Sequence, residues 1–369
     1  MSVQYRPTRL VIETGALENN LQAVAKHLNG AARMMAVVKA DAYGHGAITE
    51  ARLALKNGAS MLAVALVEEG ILLREAGIRC PILVLGGVSA EGARAAVQYG
   101  ISQSMYDAGT LEVMQREAKR LNTQALVHLK IDTGMTRVGL RGSGEIGRML
   151  ENLKSCSNVA VEGVFTHFAD VLGDREYTDR QKALFDSALT QIRQAGFTPL
   201  AHAAASTALL TRSDLWYDMV RPGIVLYGAE VNGICPAIRP AQRLTTKPVR
   251  LEWVESGQTV GYSRTFRAAR KTLVMTLPIG YGDGYPRILS NRASVLVRGR
   301  RAPLIGNVCM DMIMADATDI PEVSLEDEVV LMGAQGGQRI TPDELAGLAQ
   351  TIPYEIMLGF SERIPRETE

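Results

Sequence analysis

The feature that most constrains this chain is a set of eight short apolar runs, each followed by a stretch with helical spacing. They are MMAVV (34–38), MLAVAL (61–66), ILVLG (82–86), ISQSM (101–105), ALVHLKI (125–131), VEGVFTHF (161–168), LAHAAA (200–205) and MVRPGIVLYG (219–228). Intervals of roughly 20 to 40 residues suit one strand and one helix apiece. Strands alternating with helices imply a parallel sheet, and eight of them predict an α/β fold of the TIM-type (β/α)8 barrel kind. The run at 101–105 is the most polar of the set. No self-similarity accompanies the alternation, which excludes a repeat array. Leu17, Leu21, Val24 and Leu28 share one face of a helix expected over 16–28. A second helix is expected over 178–196, with Thr178 or Asp179 as its cap, Leu184, Ala188, Leu189 and Ile192 as its stripe, and Gly196 at its end.

The texture changes after residue 230. The segment 234–248 carries Pro236, Pro240 and Pro248 and reads as a connector. Strand-like stretches follow: VRLEWVES, TLVMTLPIG, ASVLVRG, RAPLIGNVCMDMIMAD and DEVVLMG. One helix is expected at 341–350, capped by Thr341 with Pro342 in its first turn. The expected organisation is a barrel over 1–235 and a C-terminal, mostly β domain over 236–369. The segment RLVIE (9–13) is free to add a strand to that second sheet. A length of 369 residues suits two domains at about 150 residues each.

The 40 basic and 39 acidic residues leave a net charge of +1, so no basic excess points to nucleic acid or an anionic membrane. A hydrophobic content of 47% supplies a core and excludes disorder. Cys80, Cys156, Cys235 and Cys309 form no C-x-x-C pair. They read as lone, mostly buried thiols rather than a disulfide framework or a zinc site, and no metal is expected. The opening MSVQYRPTRL lacks an apolar signal core, and the longest apolar run, MLAVALV (61–67), is far short of the roughly 20 residues a membrane helix needs. A cytoplasmic protein is expected.

Barrels place their reactive groups where strands end and loops begin. In AVVKADAYGHG (36–46), Lys39 occupies such an end, ahead of a glycine-containing loop. A desolvated lysine there can form a Schiff base, although the segment alone favours a lysine snorkelling at a strand end. LVHLKIDTGMTRVGL (126–140) alternates, with His128, Lys130 and Asp132 on one face. That face belongs to a polar inner layer or to a structural ion pair, and Arg137 follows in the loop, placed for an anion. His167 and His202 lie near later strand ends. Ser206 and Thr207 open the loop after the seventh strand, and Arg221 and Gly223 surround the eighth. Loops after strands seven and eight often bind phosphate through backbone N–H groups. In the second domain, Tyr262, Tyr281, Tyr285 and Tyr354 stand out beside Met310 and Asp311, although tyrosines in β structure usually pack.

Taken together, the segments AVVKADAYGHG, LKIDTGMTRVG, VRPGIVLYG, VGYSRTF, LPIGYGDGYPR, GNVCMDM and TIPYE resemble, in order, the alanine racemase family of pyridoxal-phosphate enzymes of fold type III. The resemblance covers essentially the whole chain. It implies that Lys39 holds pyridoxal phosphate covalently. It implies phosphate contacts from Tyr43, Ser206, Gly223, Ile224 and Tyr354, with Arg221 at the pyridine nitrogen and His167 in the same network. Arg137 and the Met310 backbone would hold the substrate carboxylate, and Tyr281 and Asp311 would border the entrance. Lys130 matches a lysine that some members carbamylate. Tyr262 would reach the active site from the partner subunit of a homodimer.

The implied reaction interconverts L- and D-alanine, supplying D-alanine for cell-wall peptidoglycan or degrading it. One fixed base would tend to return the proton to the face it left. Two bases solve this, Lys39 for the D-side hydrogen and Tyr262 for the L-side one. Both residue types start near pKa 10, so both need tuning. The alternatives are a racemase of another small amino acid such as serine, and a noncatalytic pyridoxal-phosphate carrier. The carriers resemble the barrel alone, and the domain bearing Tyr262 argues against that reading.

Overall fold

The computed structural model describes residues 5–229 and 234–369. A short strand, β1 (Arg9–Ile12), precedes a helix over Thr14–Leu28. The barrel strands follow: β2 (Arg33–Val37), β3 (Ala59–Val64), β4 (Ile82–Val84), β5 (Ser102–Met105), β6 (Ala125–Lys130), β7 (Val159–Phe165), β8 (Leu200–Ala205) and β9 (Met219–Arg221). All eight are parallel and close into a barrel, with β2 bonded to both β3 and β9. The TIM-type architecture expected from the alternation is present.

Strands covered on both faces read as apolar runs, and Met34 to Val37 are accordingly all buried. In the helix over Thr14–Leu28, Leu17, Leu21, Val24 and Leu28 are buried, as their spacing predicts. Each such side chain contributes roughly 1.5–3 kcal/mol. β5 is polar and still fully buried, because its side chains find local acceptors. Ser104 Oγ donates to Val84 O at 2.6 Å, and Gln103 Nε2 donates to Gly86 O at 2.7 Å.

Several boundaries differ from expectation. The long helix runs Arg175–Gln194, and its cap is Asp174, whose carboxylate accepts from Tyr177 N at 2.8 Å. Thr178 is instead inside the helix, bonded to Asp170 O. The eighth barrel strand stops at Arg221, because Pro222 has no N–H to extend the ladder. Ile224–Tyr227 then forms a 3-10 turn. Ser206 and Thr207 begin a short helix, Ser206–Thr211, rather than a loop. The four thiols are free and half-buried, not sealed in the core.

The remaining strands are β10 (Gln242–Thr246), β11 (Arg250–Val254), β12 (Thr259–Val260), β13 (Phe266–Arg267), β14 (Thr272–Leu277), β15 (Ser294–Val297), β16 (Arg300–Pro303), β17 (Ile313–Asp316), β18 (Val329–Gln335), β19 (Gln338–Ile340) and β20 (Arg366–Thr368). The main sheet has the order β16-β15-β18-β10-β1-β20, with β19 on β18, and a smaller one has the order β11-β14-β17. β10 lies within the stretch read as a connector; its prolines flank the strand and leave the interior N–H groups free to pair. RAPLIGNVCMDMIMAD is two strands in two sheets, parted by a loop whose Gly306 sits at φ 77°. A helix over Pro353–Leu358 had no sequence signal long enough to find it. β1 belongs to the main sheet, antiparallel to β10 and parallel to β20.

The chain forms two compact units. One is built on Glu18–Leu226 and holds the barrel; the other is built on Ile238–Glu369 with the N-terminal segment through Leu17. Among the described residues, no helix is long and apolar enough to cross a membrane.

Candidate active site

Lys39 follows β2 at the C-terminal mouth of the barrel. Burial lowers its pKa, and the positive charge of Arg137 lowers it further, against a smaller opposing effect of Glu69. The backbone beyond it is unusual. Ala40, Asp41, Ala42 and Tyr43 all have φ between 51° and 55°, a left-handed turn made without glycine. Each such residue costs roughly 1–2 kcal/mol, so surrounding bonds must hold it. Glu69 does so by accepting from Ala40 N at 2.6 Å while its other oxygen accepts from Ala65 N at 2.7 Å. Asp41 accepts from Ala47 N at 2.8 Å.

The turn delivers the buried Tyr43 ring to the loop after β9. A Cβ placed on Gly223 would come within 2.6 Å of the Tyr43 hydroxyl, so only glycine permits this approach. Ser206 Oγ accepts from Gly223 N at 3.0 Å and Val225 N at 3.3 Å. Tyr43, Ser206, Gly223 and the buried Ile224 therefore meet in one place, made from three separate segments.

Arg221 ends β9 and is only 3% exposed. Nη1 donates to His202 Nδ1 at 2.8 Å, and Nη2 donates to Thr166 O at 2.7 Å and Ala203 O at 2.9 Å, with His167 Nδ1 at 3.4 Å. Burial lowers its pKa to about 9, which leaves it charged at neutral pH. Lys130 is equally buried, donating to Ile131 O at 3.3 Å and lying 5.0 Å above the Phe165 ring. Its pKa falls to about 7, by burial first and then by Arg221. His167 is pushed down to about 3 by burial and by the charges of Arg221, Lys130, Arg137 and Lys39. It is a neutral ring among cations.

Asp132 offers these cations little relief. It forms its ion pair with Arg141, at 2.6 Å, and accepts from Gly134 N and Thr136 N. The ion-pair reading of the alternating segment thus holds for Asp132, with a partner nine residues on that no spacing rule signals. Arg137 is exposed and, among the described residues, has no ion pair. Lys39, Lys130, Arg137 and Arg221 make the mouth rich in basic groups, while Asp132 is committed to Arg141 and Glu69 to backbone N–H groups.

The other candidates lie in the second unit. Tyr262 begins a 3-10 turn after Gly261 (φ 73°) and is 72% exposed. Its carbonyl accepts from Asn307 Nδ2 at 2.9 Å. Gly282 N donates to Met310 O at 2.8 Å and Tyr281 N donates to Cys309 O at 2.9 Å, which ties the Tyr281 loop to the Met310 loop. Asp311 bonds Arg363 at 2.7 Å. Tyr262, Tyr281, Met310 and Met312 are all exposed on this group of loops. Tyr354 is half-buried on the helix Pro353–Leu358, whereas Tyr285 is wholly buried and so packs as expected of a core tyrosine.

A closed (β/α)8 barrel with a lysine of lowered pKa at a strand end, a glycine-dependent cradle and a group of basic side chains around its mouth defines a protein of the barrel-enzyme class. Residues 12–231 match the family described as alanine racemase, N-terminal domain, and residues 241–368 match alanine racemase, C-terminal domain. The chain belongs to the alanine racemase family. It is 46% identical over 367 residues to an alanine racemase of Symbiobacterium thermophilum, covering 98% of this chain and 97% of that protein. It is similar to the alanine racemase of Bacillus anthracis with bound L-Ala-P, with a TM-score of 0.91, 33% identity, and coverage of 100% and 96%. It is likewise similar to that of Bartonella henselae with covalently bound pyridoxal phosphate, with a TM-score of 0.88, 28% identity, and coverage of 99% and 100%.

Proposed function

We propose that this enzyme interconverts L- and D-alanine with pyridoxal phosphate, using one base on each face of the reacting carbon. The observation that carries the reading is the cluster of Lys39, Lys130, Arg137 and Arg221 around a neutral His167. The residues fit the cofactor. A Cβ on Gly223 would fill the cradle beside Tyr43, the donors there suit a phosphate, and the lysine is of the lowered-pKa type that attacks carbonyls. Lys39 would hold the cofactor covalently; Tyr43, Ser206, Gly223, Ile224 and Tyr354 would hold its phosphate; Arg221 would face its ring nitrogen. When bound, it supplies a conjugated ring into which the electrons of a broken Cα–H bond spread.

This chain's own residues supply the rest. Arg137 and the Met310 N–H bind the substrate carboxylate and fix which face of Cα meets which base. Lys39 Nζ, its neutral form favoured by burial and by Arg137, takes or returns the proton on the D side. Tyr262 of the partner subunit takes or returns it on the L side. Its 72% exposure here fits a phenol that works in a second copy of the chain, so a homodimer is part of the proposal. Tyr281 and Asp311 border the entrance. A coupled assay of D-alanine formed from L-alanine tests the activity. Lys39→Ala and Tyr262→Phe should each nearly abolish it, while α-hydrogen exchange with solvent survives from one enantiomer only in the tyrosine variant. Exchange surviving from both would remove the two-base assignment. Faster turnover of serine than alanine would favour the other-substrate reading.

We propose further that the protein acts in the cytoplasm and that D-alanine for peptidoglycan is its product or substrate. Carbamylation of Lys130 is consistent with its lowered pKa, to about 7, since the neutral amine is the form that adds carbon dioxide.

A further inference from the structure

Arg221 is surrounded by neutral acceptors. Its contacts are His202, His167 and the carbonyls of Thr166 and Ala203, and no carboxylate touches it among the described residues. The chain of contacts continues away from the mouth. A guanidinium only donates, so His202 Nδ1 must accept. With His202 neutral, its proton sits on Nε2, which lies 2.8 Å from His128 Nδ1 and donates to it. His128 then carries its proton on Nε2. That nitrogen is buried without a hydrogen-bond partner among the described residues, and the nearest carboxylate oxygen, Glu162 Oε2, lies 3.6 Å away, within ion-pair range, where it also accepts from Ser102 Oγ at 2.5 Å.

Four barrel strands build this line: Ser102 on β5, His128 on β6, Glu162 on β7 and His202 on β8. Its fit is tight enough to exclude a side chain. Gly163 stands opposite His128 in the β6–β7 ladder, where the register shifts, and a Cβ there would lie 2.1 Å from His128 Nδ1. Phe165 stacks flat on His202, with ring centres 4.9 Å apart. Both histidines are held neutral by burial, while Glu162 is held ionised chiefly by His128.

We infer that Glu162 is a positioning residue for the reaction: through His128 and His202 it fixes both tautomers, so that Arg221 finds an acceptor and keeps one orientation and one charge. This rests on the reading above, in which Arg221 faces the cofactor ring. Without the carboxylate, Arg221 alone sets the order of the line, and His128 with its proton on Nδ1 becomes a competing state. The His128 flip turns His202 over, places an N–H against Arg221 Nη1, and loosens the guanidinium. Glutamine keeps an acceptor for His128 and a polar partner for Ser102, so it should keep the tautomers.

Histidine ¹⁵N NMR on the purified holoenzyme, with alanine kinetics on the same samples, tests this. In the wild type, His202 and His128 should both be neutral with the proton on Nε2. Glu162→Leu should give a mixture of tautomers and lower kcat about tenfold with KM for alanine within about twofold. Glu162→Gln should restore both signals and most of kcat. Gly163→Ala should break the link at His128 without altering any charge, and should match the leucine variant. A wild-type His202 protonated on Nδ1 would overturn the inference, as would Glu162→Leu with unchanged tautomers. Altered tautomers with unchanged kcat would overturn the positioning role. Wild-type enzyme with the expected tautomers and no racemase activity would count against the functional reading alone.

Discussion

Glu50 ties the stability of the barrel unit to pH. It is fully buried in the helix Ala47–Lys56, neither carboxylate oxygen has a hydrogen-bond partner among the described residues, and burial raises its pKa to about 8. The folded state therefore keeps a proton that the unfolded chain releases above about 4.5, so stability falls as pH rises from there to about 8 and is level beyond. Glu50→Gln should remove that slope and raise stability at pH 8 by on the order of 2–4 kcal/mol. Thermal unfolding at pH 5.5 and 8 checks it, and parallel curves for the two proteins would mean that water reaches the carboxylate. At Gly223, alanine would press on the Tyr43 hydroxyl. Gly223→Ala should weaken pyridoxal-phosphate retention at least about tenfold while the fold survives, as equilibrium titration of the apoenzyme would reveal. Lys39, Arg137 and Arg221 could be singled out in the sequence by their places at or after strand ends, although the segment of Lys39 alone read rather as a snorkelling lysine and their roles came from the resemblance. Glu69, Arg141 and Glu162 could not, because each acts through a neighbour distant in sequence or through a backbone group that no pattern encodes.

Among the elements, the barrel strands were readable because both faces are covered, and the run of apolar residues survives even where β5 turns polar. Ends were harder, because they depend on single hydrogen bonds. The long helix begins at Asp174 rather than at Thr178 or Asp179, and the difference is measurable. Asp174→Ala should cost about 1 kcal/mol as a lost cap. Asp179→Ala removes one of two carboxylates on the part-buried Arg212, which keeps Asp214, and should cost less than about half of that. Equal losses in denaturant unfolding would move the cap. β10 was hidden by its flanking prolines, and the split of RAPLIGNVCMDMIMAD by a glycine at positive φ. The left-handed turn at 40–43 was invisible for a different reason. Only Asp41 in ADAY tolerates that geometry; its bond to Ala47 N and the bond from Ala40 N to the distant Glu69 hold the turn.

At the scale of the molecule, the sequence carried the division into a barrel and a β-rich part, since the change in periodicity after residue 230 is plain. It also offered β1 to the second sheet, though only the paired ladder shows that β1 is interior, between β10 and β20. Leu10 and Val11 bond on both sides there, and Arg6 reaches Asp283, which is buried and also faces Arg363. A fragment comprising residues 238–369 should therefore be poorly folded alone, and a peptide of residues 5–17 should restore cooperative unfolding when added. A fragment that unfolds cooperatively without the peptide would show that the strand is dispensable.

The position of β1 also bears on how the chain is made. It leaves the ribosome before every barrel strand, yet its two neighbours, β10 and β20, follow all of them. Through most of synthesis, while the barrel segments emerge and collapse, Leu10, Val11 and Ile12 have no sheet to join. A nascent chain stalled before residue 242 must carry this apolar stretch without either neighbour, and one stalled before residue 366 can offer it β10 alone.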